Sequence, residues 1–63
     1  MKVREVLRLL RDDGWYVARR RGSHRQLKHP TKTGLVTLAG SANVDVPIGT
    51  LKSILKQAGL ERE

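Results

Sequence analysis

Trp15-Tyr16-Val17-Ala18-Arg19-Arg20-Arg21-Gly22-Ser23-His24-Arg25-Gln26-Leu27-Lys28-His29 is the stretch that decides the fold. Trp15 to Arg20 opens with aromatic and β-favouring residues and reads as a strand. Arg21-Gly22-Ser23 supplies a turn, and His24 to His29 returns as a second, weaker strand. Beyond it, Pro30-Thr31-Lys32-Thr33-Gly34 is a connecting loop, with Pro near its start and Gly at its end. Leu35-Val36-Thr37-Leu38-Ala39 is the plainest strand of the chain. Two adjacent hairpins imply a three-stranded antiparallel sheet.

A helix is expected on each side of this sheet sequence. Over residues 2–13, Val3, Val6, Leu7 and Leu10 recur at helical spacing, with Leu9 on the edge of the stripe. Arg4, Arg8 and Arg11 form a basic ridge, open to two readings, phosphate contact or a solvated helix face. Gly14 ends this helix, because a residue without Cβ takes the left-handed turn cheaply. Gly40 to Asp45 reads as a loop, and Pro47 suits a first helical position. Leu51, Ile54, Leu55 and Ala58, extended by Ile48, give the second helix its apolar stripe, and Gly59 stops it. Gly49 sits early in that helix, where close helix–sheet packing is the expected reason for it.

The order is α-β-β-β-α over a single domain, residues 1–63. Neither helix can bury its stripe except on the sheet or on the other helix. The expected architecture is therefore a two-layer α+β domain, with both helices on one sheet face and the other face open. That layering is the order of a double-stranded-RNA-binding domain, an analogy of fold that says nothing about function. There is no cysteine, so neither a disulfide nor a thiolate metal site is available to stiffen so small a core. No apolar run approaches the ~20 residues that span a bilayer. Met1-Lys2-Val3-Arg4-Glu5 begins a charged amphipathic pattern unlike a signal peptide, so a soluble cytoplasmic protein is expected, without membrane contact.

Charge supplies the first functional clue. Thirteen Lys and Arg oppose six Asp and Glu, a net charge of +7. Between Gly14 and Val44 there is no carboxylate, while Arg19, Arg20, Arg21, Arg25, Lys28 and Lys32 all fall there. A segregated excess of this kind suits a polyanion or an acidic protein partner.

The same segregation narrows the chemistry. Paired carboxylates are missing from the basic segment, as are the oxygens of a His–carboxylate metal site and the acid of a Ser–His–acid triad. What is left is chemistry without metal or cofactor, centred on His24, which can exchange a proton near neutral pH. RNA carries its own nucleophile, the 2′-hydroxyl, so cleavage needs only a base, charge stabilisation and alignment. Arg20, Arg21, Arg25 and Lys28 are the candidate phosphate contacts; Gly22 permits close backbone approach and Ser23 can donate a hydrogen bond. His29 is a poor second catalyst. Five positions along one strand put it on the opposite face and roughly 16 Å away. The same alternation groups His24 with Gln26 and Lys28, and Arg25 with Leu27. Trp15 and Tyr16 could stack on bases, although packing is the commoner use of an aromatic in so small a core. No residue is assigned as general acid.

Gly22-Ser23-His24, the strand pair after it, the helix ending in Gly14-Trp15 and the run Gly49-Thr50-Leu51-Lys52-Ser53-Ile54-Leu55-Lys56-Gln57-Ala58-Gly59-Leu60 together resemble the HicA toxins of bacterial and archaeal toxin–antitoxin pairs. The resemblance covers essentially the whole chain. It implies a double-stranded-RNA-binding-like fold and a ribosome-independent mRNA interferase that arrests translation and growth. The family's catalytic histidine falls on His24. A HicB-like antitoxin is the implied protein partner, covering the active site and linking the toxin to DNA only indirectly. One departure is that many relatives carry Pro-x-His near the end of the third strand, where this chain has Ala39-Gly40-Ser41. The competing reading is a non-catalytic RNA-binding module that uses the same basic face. A DNA-binding regulator fits less well, because the cations cluster on a strand–turn–strand segment and no recognition helix is evident.

Overall fold

The helical spacing of Val3, Val6 and Leu10 produces α1, Val3–Asp12, which buries those three side chains and leaves Arg4, Arg8 and Arg11 exposed. The structure, a computed structural model, describes residues 1–60. The first N–H groups of α1 are satisfied from across the chain. Val3 N–H donates to the Val44 carbonyl (2.9 Å) and Arg4 N–H to that of Ala42 (3.1 Å). Val46 N–H in turn donates to the Met1 carbonyl at 2.8 Å, so the loop after the sheet closes over the start of the helix.

Three strands follow, β1 (Tyr16–Arg21), β2 (His24–Lys28) and β3 (Val36–Leu38), antiparallel and in that spatial order. This is the expected sheet with shifted ends. β1 begins after Trp15 because the Trp15 N–H is already taken by the Leu10 carbonyl (2.9 Å) at the end of α1. It runs on through Arg21, leaving a two-residue Gly22-Ser23 turn. Gly22 has φ +59° and no other turn residue has positive φ, the requirement of a type II′ hairpin. β2 stops before His29, and β3 excludes Leu35 and Ala39.

α2 spans Ile48–Gln57. Pro47, with ψ 144°, stands just outside it as the N-cap rather than as its first residue. Ile54 and Ala58 are buried, with Leu51 and Leu55 half-buried beside them. Two expectations are corrected here. Ile48 does not extend the buried stripe and is 73% exposed. Gly49 does not permit close packing either, since a Cβ added there meets nothing within 4 Å.

The core joins Val3, Val6, Leu10, Ile54 and Ala58 of the helical layer to Trp15, Leu27, Val36 and Leu38. Leu27, Val36 and Leu38 all come from one side of the sheet, and their strand neighbours on the other side stay in solvent or half in it. The helices therefore cover one face, and the other is open.

Both helices terminate in the same way. Gly14 (φ +105°) and Gly59 (φ +71°) follow the two C-caps, and each helix shows the paired bonds of a Schellman motif. Trp15 and Gly14 N–H donate to Leu10 and Arg11, and Leu60 and Gly59 N–H to Leu55 and Lys56. The β2–β3 loop holds the two ends together. His29 Nδ1 accepts from the backbone N–H groups of Thr31 (3.1 Å) and Lys32 (3.0 Å). Its Nε2 must then carry the proton, and it donates to the Asp13 carbonyl at 2.6 Å. The imidazole also meets the Trp15 ring edge-on at 5.3 Å. The Lys32 ammonium donates both to the Asp13 carboxylate and to the Ala58 carbonyl, the latter at 3.0 Å. A cation so placed favours both helix C-termini. Its hydrogen bond holds the Asp13 carboxyl below the usual carboxylate range.

Candidate active site

Alternation along β2 puts His24, Gln26 and Lys28 on the open face, and turns Arg25 and Leu27 toward the helices. Register adds their neighbours. Arg21 lies opposite His24, Arg19 and Thr37 flank Gln26 on either side, and Tyr16 lies opposite Lys28. The arrangement of β1 depends on a bulge, because Val17 pairs with Leu27 and the next paired residue is Arg19. Ala18 is the extra residue. It reverses the parity of everything after it, so Arg19 and Arg21 share the face of His24 while Arg20 falls on the other.

Arg19, Arg21, His24, Gln26 and Thr37 line an open depression on that face. Chemically it offers one imidazole, two guanidinium groups, one amide and one hydroxyl. Such a set can take a proton, hold an anion by charge-assisted hydrogen bonds and orient it with neutral donors. His24 is exposed at the start of β2, next to the turn.

The residues expected to contact phosphate are not all brought together. Arg21 is beside His24. Gly22 and Ser23 form the adjoining turn, and Gly22 has open space around its α-carbon. Lys28 shares the face but stands at the far end of β2, outside the depression. Arg20 and Arg25 need correction. Arg25 is only 8% exposed, and its guanidinium donates to the Gly40 carbonyl at 3.1 Å, beneath the sheet. Arg20 lies directly opposite it and folds back, Nε donating to the Gly22 carbonyl at 3.2 Å. Both arginines are therefore on the helix side, away from His24. In their place the depression gains Arg19, Gln26 and Thr37. Gln26 was legible from alternation. Arg19 was not, because in a straight strand it falls on the wrong side and nothing about Ala18 announces a bulge.

His29 is separated from His24 as the alternation requires. It is half-buried at the end of α1, with both ring nitrogens engaged. Trp15 packs in the core at 2% exposure, whereas Tyr16 is 50% exposed on the open face. The Arg4 end of the basic helix ridge is tied down by a hydrogen bond to the Asn43 side chain. Among the described residues, no three His, Cys, Asp or Glu side chains gather as a metal site. No helix among them is long and apolar enough to cross a membrane.

Comparison with protein families gives a match over nearly the whole chain. The family model described as the HicA toxin of bacterial toxin–antitoxin systems matches residues 3–60, from the first residue of α1 to the end of its described C-terminal motif. A comparison with curated proteins gave no match.

Proposed function

The chain belongs to the HicA toxin family, the toxin half of a toxin–antitoxin pair, and on that premise we propose that it is an mRNA-cleaving endoribonuclease with His24 as its base. The observation that carries the reading is the company His24 keeps, with Arg21 opposite it and Arg19 and Gln26 beside them in one open depression.

In this reading the neutral His24 imidazole takes the proton of a 2′-hydroxyl. The 2′ oxygen then bonds to the adjacent phosphorus, and the bond from phosphorus to the 5′ oxygen breaks. The products are a 2′,3′-cyclic phosphate and a 5′-hydroxyl, once the departing oxygen has collected a proton. Charge rises on the phosphorane oxygens as the new bond forms, and Arg19 and Arg21 stand where guanidinium groups offset it. The substrate supplies the nucleophile and the arginines supply the positive charge, so the reaction needs neither metal nor cofactor. A cognate antitoxin, in this reading HicB-like, silences the toxin by covering the open face. Any contact with DNA runs through that partner. A net charge of +7 favours an acidic surface on it.

The test is cleavage of a single-stranded RNA in the presence of a metal chelator by the native chain and by His24→Ala. The native chain cuts, and the variant loses about 10²–10⁴-fold in rate while keeping its circular dichroism spectrum. Cleavage by His24→Ala at the native rate removes His24 from the mechanism. A native chain that binds RNA and never cuts it is the non-catalytic module instead.

A further inference from the structure

The open face does not end at the depression. At the other end of β2, Tyr16 and Lys28 lie directly opposite each other on the same face as His24, four residues or about 13 Å along the strand. Tyr16 is the one large aromatic side chain, of Phe, Tyr and Trp, that the fold leaves half in water, since Trp15 is buried and the sequence has no other of the three. Every residue of this face, Tyr16, Arg19, Arg21, His24, Gln26, Lys28 and Thr37, is neutral, basic or a histidine, and no carboxylate lies between Gly14 and Val44 to repel an anion.

We propose that Tyr16 and Lys28 form a second RNA-binding subsite, in which Tyr16 stacks on a base and Lys28 holds a backbone phosphate of a single strand lying along β2. The subsite rests on the endoribonuclease reading for its link to His24, but binding at it is a separate property. An exposed phenol ring on a sheet gives a base a flat apolar surface, and stacking of this kind accepts any base because each has a π-face. It requires the base to be unpaired, since the faces of a base inside a duplex are covered by its neighbours. The chain is therefore selective for single-stranded RNA at this position, whatever the analogy of its fold with duplex-binding domains. The separation from His24 sets the geometry. A nucleotide at Tyr16 is not one of the two that flank the bond cut at His24; it lies further along the strand, so the subsite acts on longer substrates only.

Substrate length separates this subsite from the chemistry. Cleavage of a dinucleotide and of a hexanucleotide is compared for the native chain, Tyr16→Ala, Tyr16→Phe and Lys28→Ala. Binding of a non-cleavable RNA hexanucleotide, 2′-O-methylated throughout, is followed in parallel by fluorescence anisotropy. Tyr16→Ala is expected to lose about 10-fold or more in kcat/KM on the hexanucleotide and in binding, and nothing on the dinucleotide. Tyr16→Phe keeps the ring and the native values, and Lys28→Ala lowers the salt dependence of binding. Equal loss on both substrates, or none on either, overturns the subsite. It is overturned too if Tyr16→Ala binds the hexanucleotide normally but loses affinity for an acidic antitoxin, since the face is then a protein interface. If the native chain cuts neither substrate while Tyr16→Ala still weakens hexanucleotide binding, the endoribonuclease reading fails and the subsite stands.

Discussion

His24 and His29 are five residues apart in one hairpin and share almost nothing else. His24 begins β2 beside a two-residue turn, exposed, among arginines and an amide. His29 follows the last residue of β2, enters the helix side, and has both ring nitrogens occupied by backbone groups. The difference follows from the pleat. An odd separation sends one ring to the open face and the other to the C-terminal end of α1. A histidine whose nitrogens are both held by backbone groups offers neither to a ligand, and a histidine exposed to solvent contributes little to stability. One chain thus leaves one histidine open to solvent, where the proposed chemistry needs it, and builds the other into its architecture.

The contrast predicts that damage to the two ends of β2 separates into different measurements. The largest effect is His24→Ala on RNA cleavage, a fall of about 10²–10⁴-fold equivalent to about 3–5 kcal/mol, with the melting temperature unchanged. Next is Gly14→Ala. The new Cβ meets His29 Nε2 at 2.8 Å, on a backbone already at φ +105°. Strain and overlap together lower stability by about 2–4 kcal/mol in urea unfolding. His29→Leu follows, at about 1–3 kcal/mol, because the Asp13 carbonyl and two loop N–H groups lose their partner. Its cleavage rate per folded molecule stays native; a fall in that rate without a fall in stability would erase the division between the two histidines.

The smallest effect is at Lys32. The Asp13 carboxyl is held low by Lys32, so its contribution is present above the usual carboxylate pKa and fades as pH falls through the lowered one. Native chain and Lys32→Met therefore differ slightly in melting temperature at neutral pH and converge in acid below about pH 4. A gap that widens in acid contradicts the Asp13–Lys32 pairing.

Much of this architecture was legible before any coordinates. The spacing of Val3, Val6 and Leu10 and of Ile54 and Ala58, the two terminating glycines, and the alternation of Leu27 with its neighbours are local patterns, and local patterns carry element type and facing. Ends were less legible. Trp15 reads as a strand residue until its N–H is seen to belong to Leu10, and Pro47 reads as helical until its ψ is known. The functional face was half legible. His24, Gln26 and Lys28 follow from β2 alone, whereas Arg25 carries the charge of a phosphate contact on a parity that turns it inward. Contacts between distant segments, such as Lys32 with Ala58 or Arg25 with Gly40, leave no trace in local pattern. Neither does the open space around Gly49.

The bulge at Ala18 gives this face an unequal tolerance to changes of length. Val17 and Arg19 pair with Leu27 and Gln26, which are neighbours in β2, so removing Ala18 leaves a regular strand with Arg19 still opposite Gln26, Arg20 opposite Arg25 and Arg21 opposite His24. Removing Arg20 has a different outcome. With Arg21 held opposite His24 by the turn, Arg19 moves opposite Arg25 on the helix side and Ala18 enters the ladder opposite Gln26, so the face loses one of its two arginines. Where a residue is lost, and not how many, decides which cations face His24.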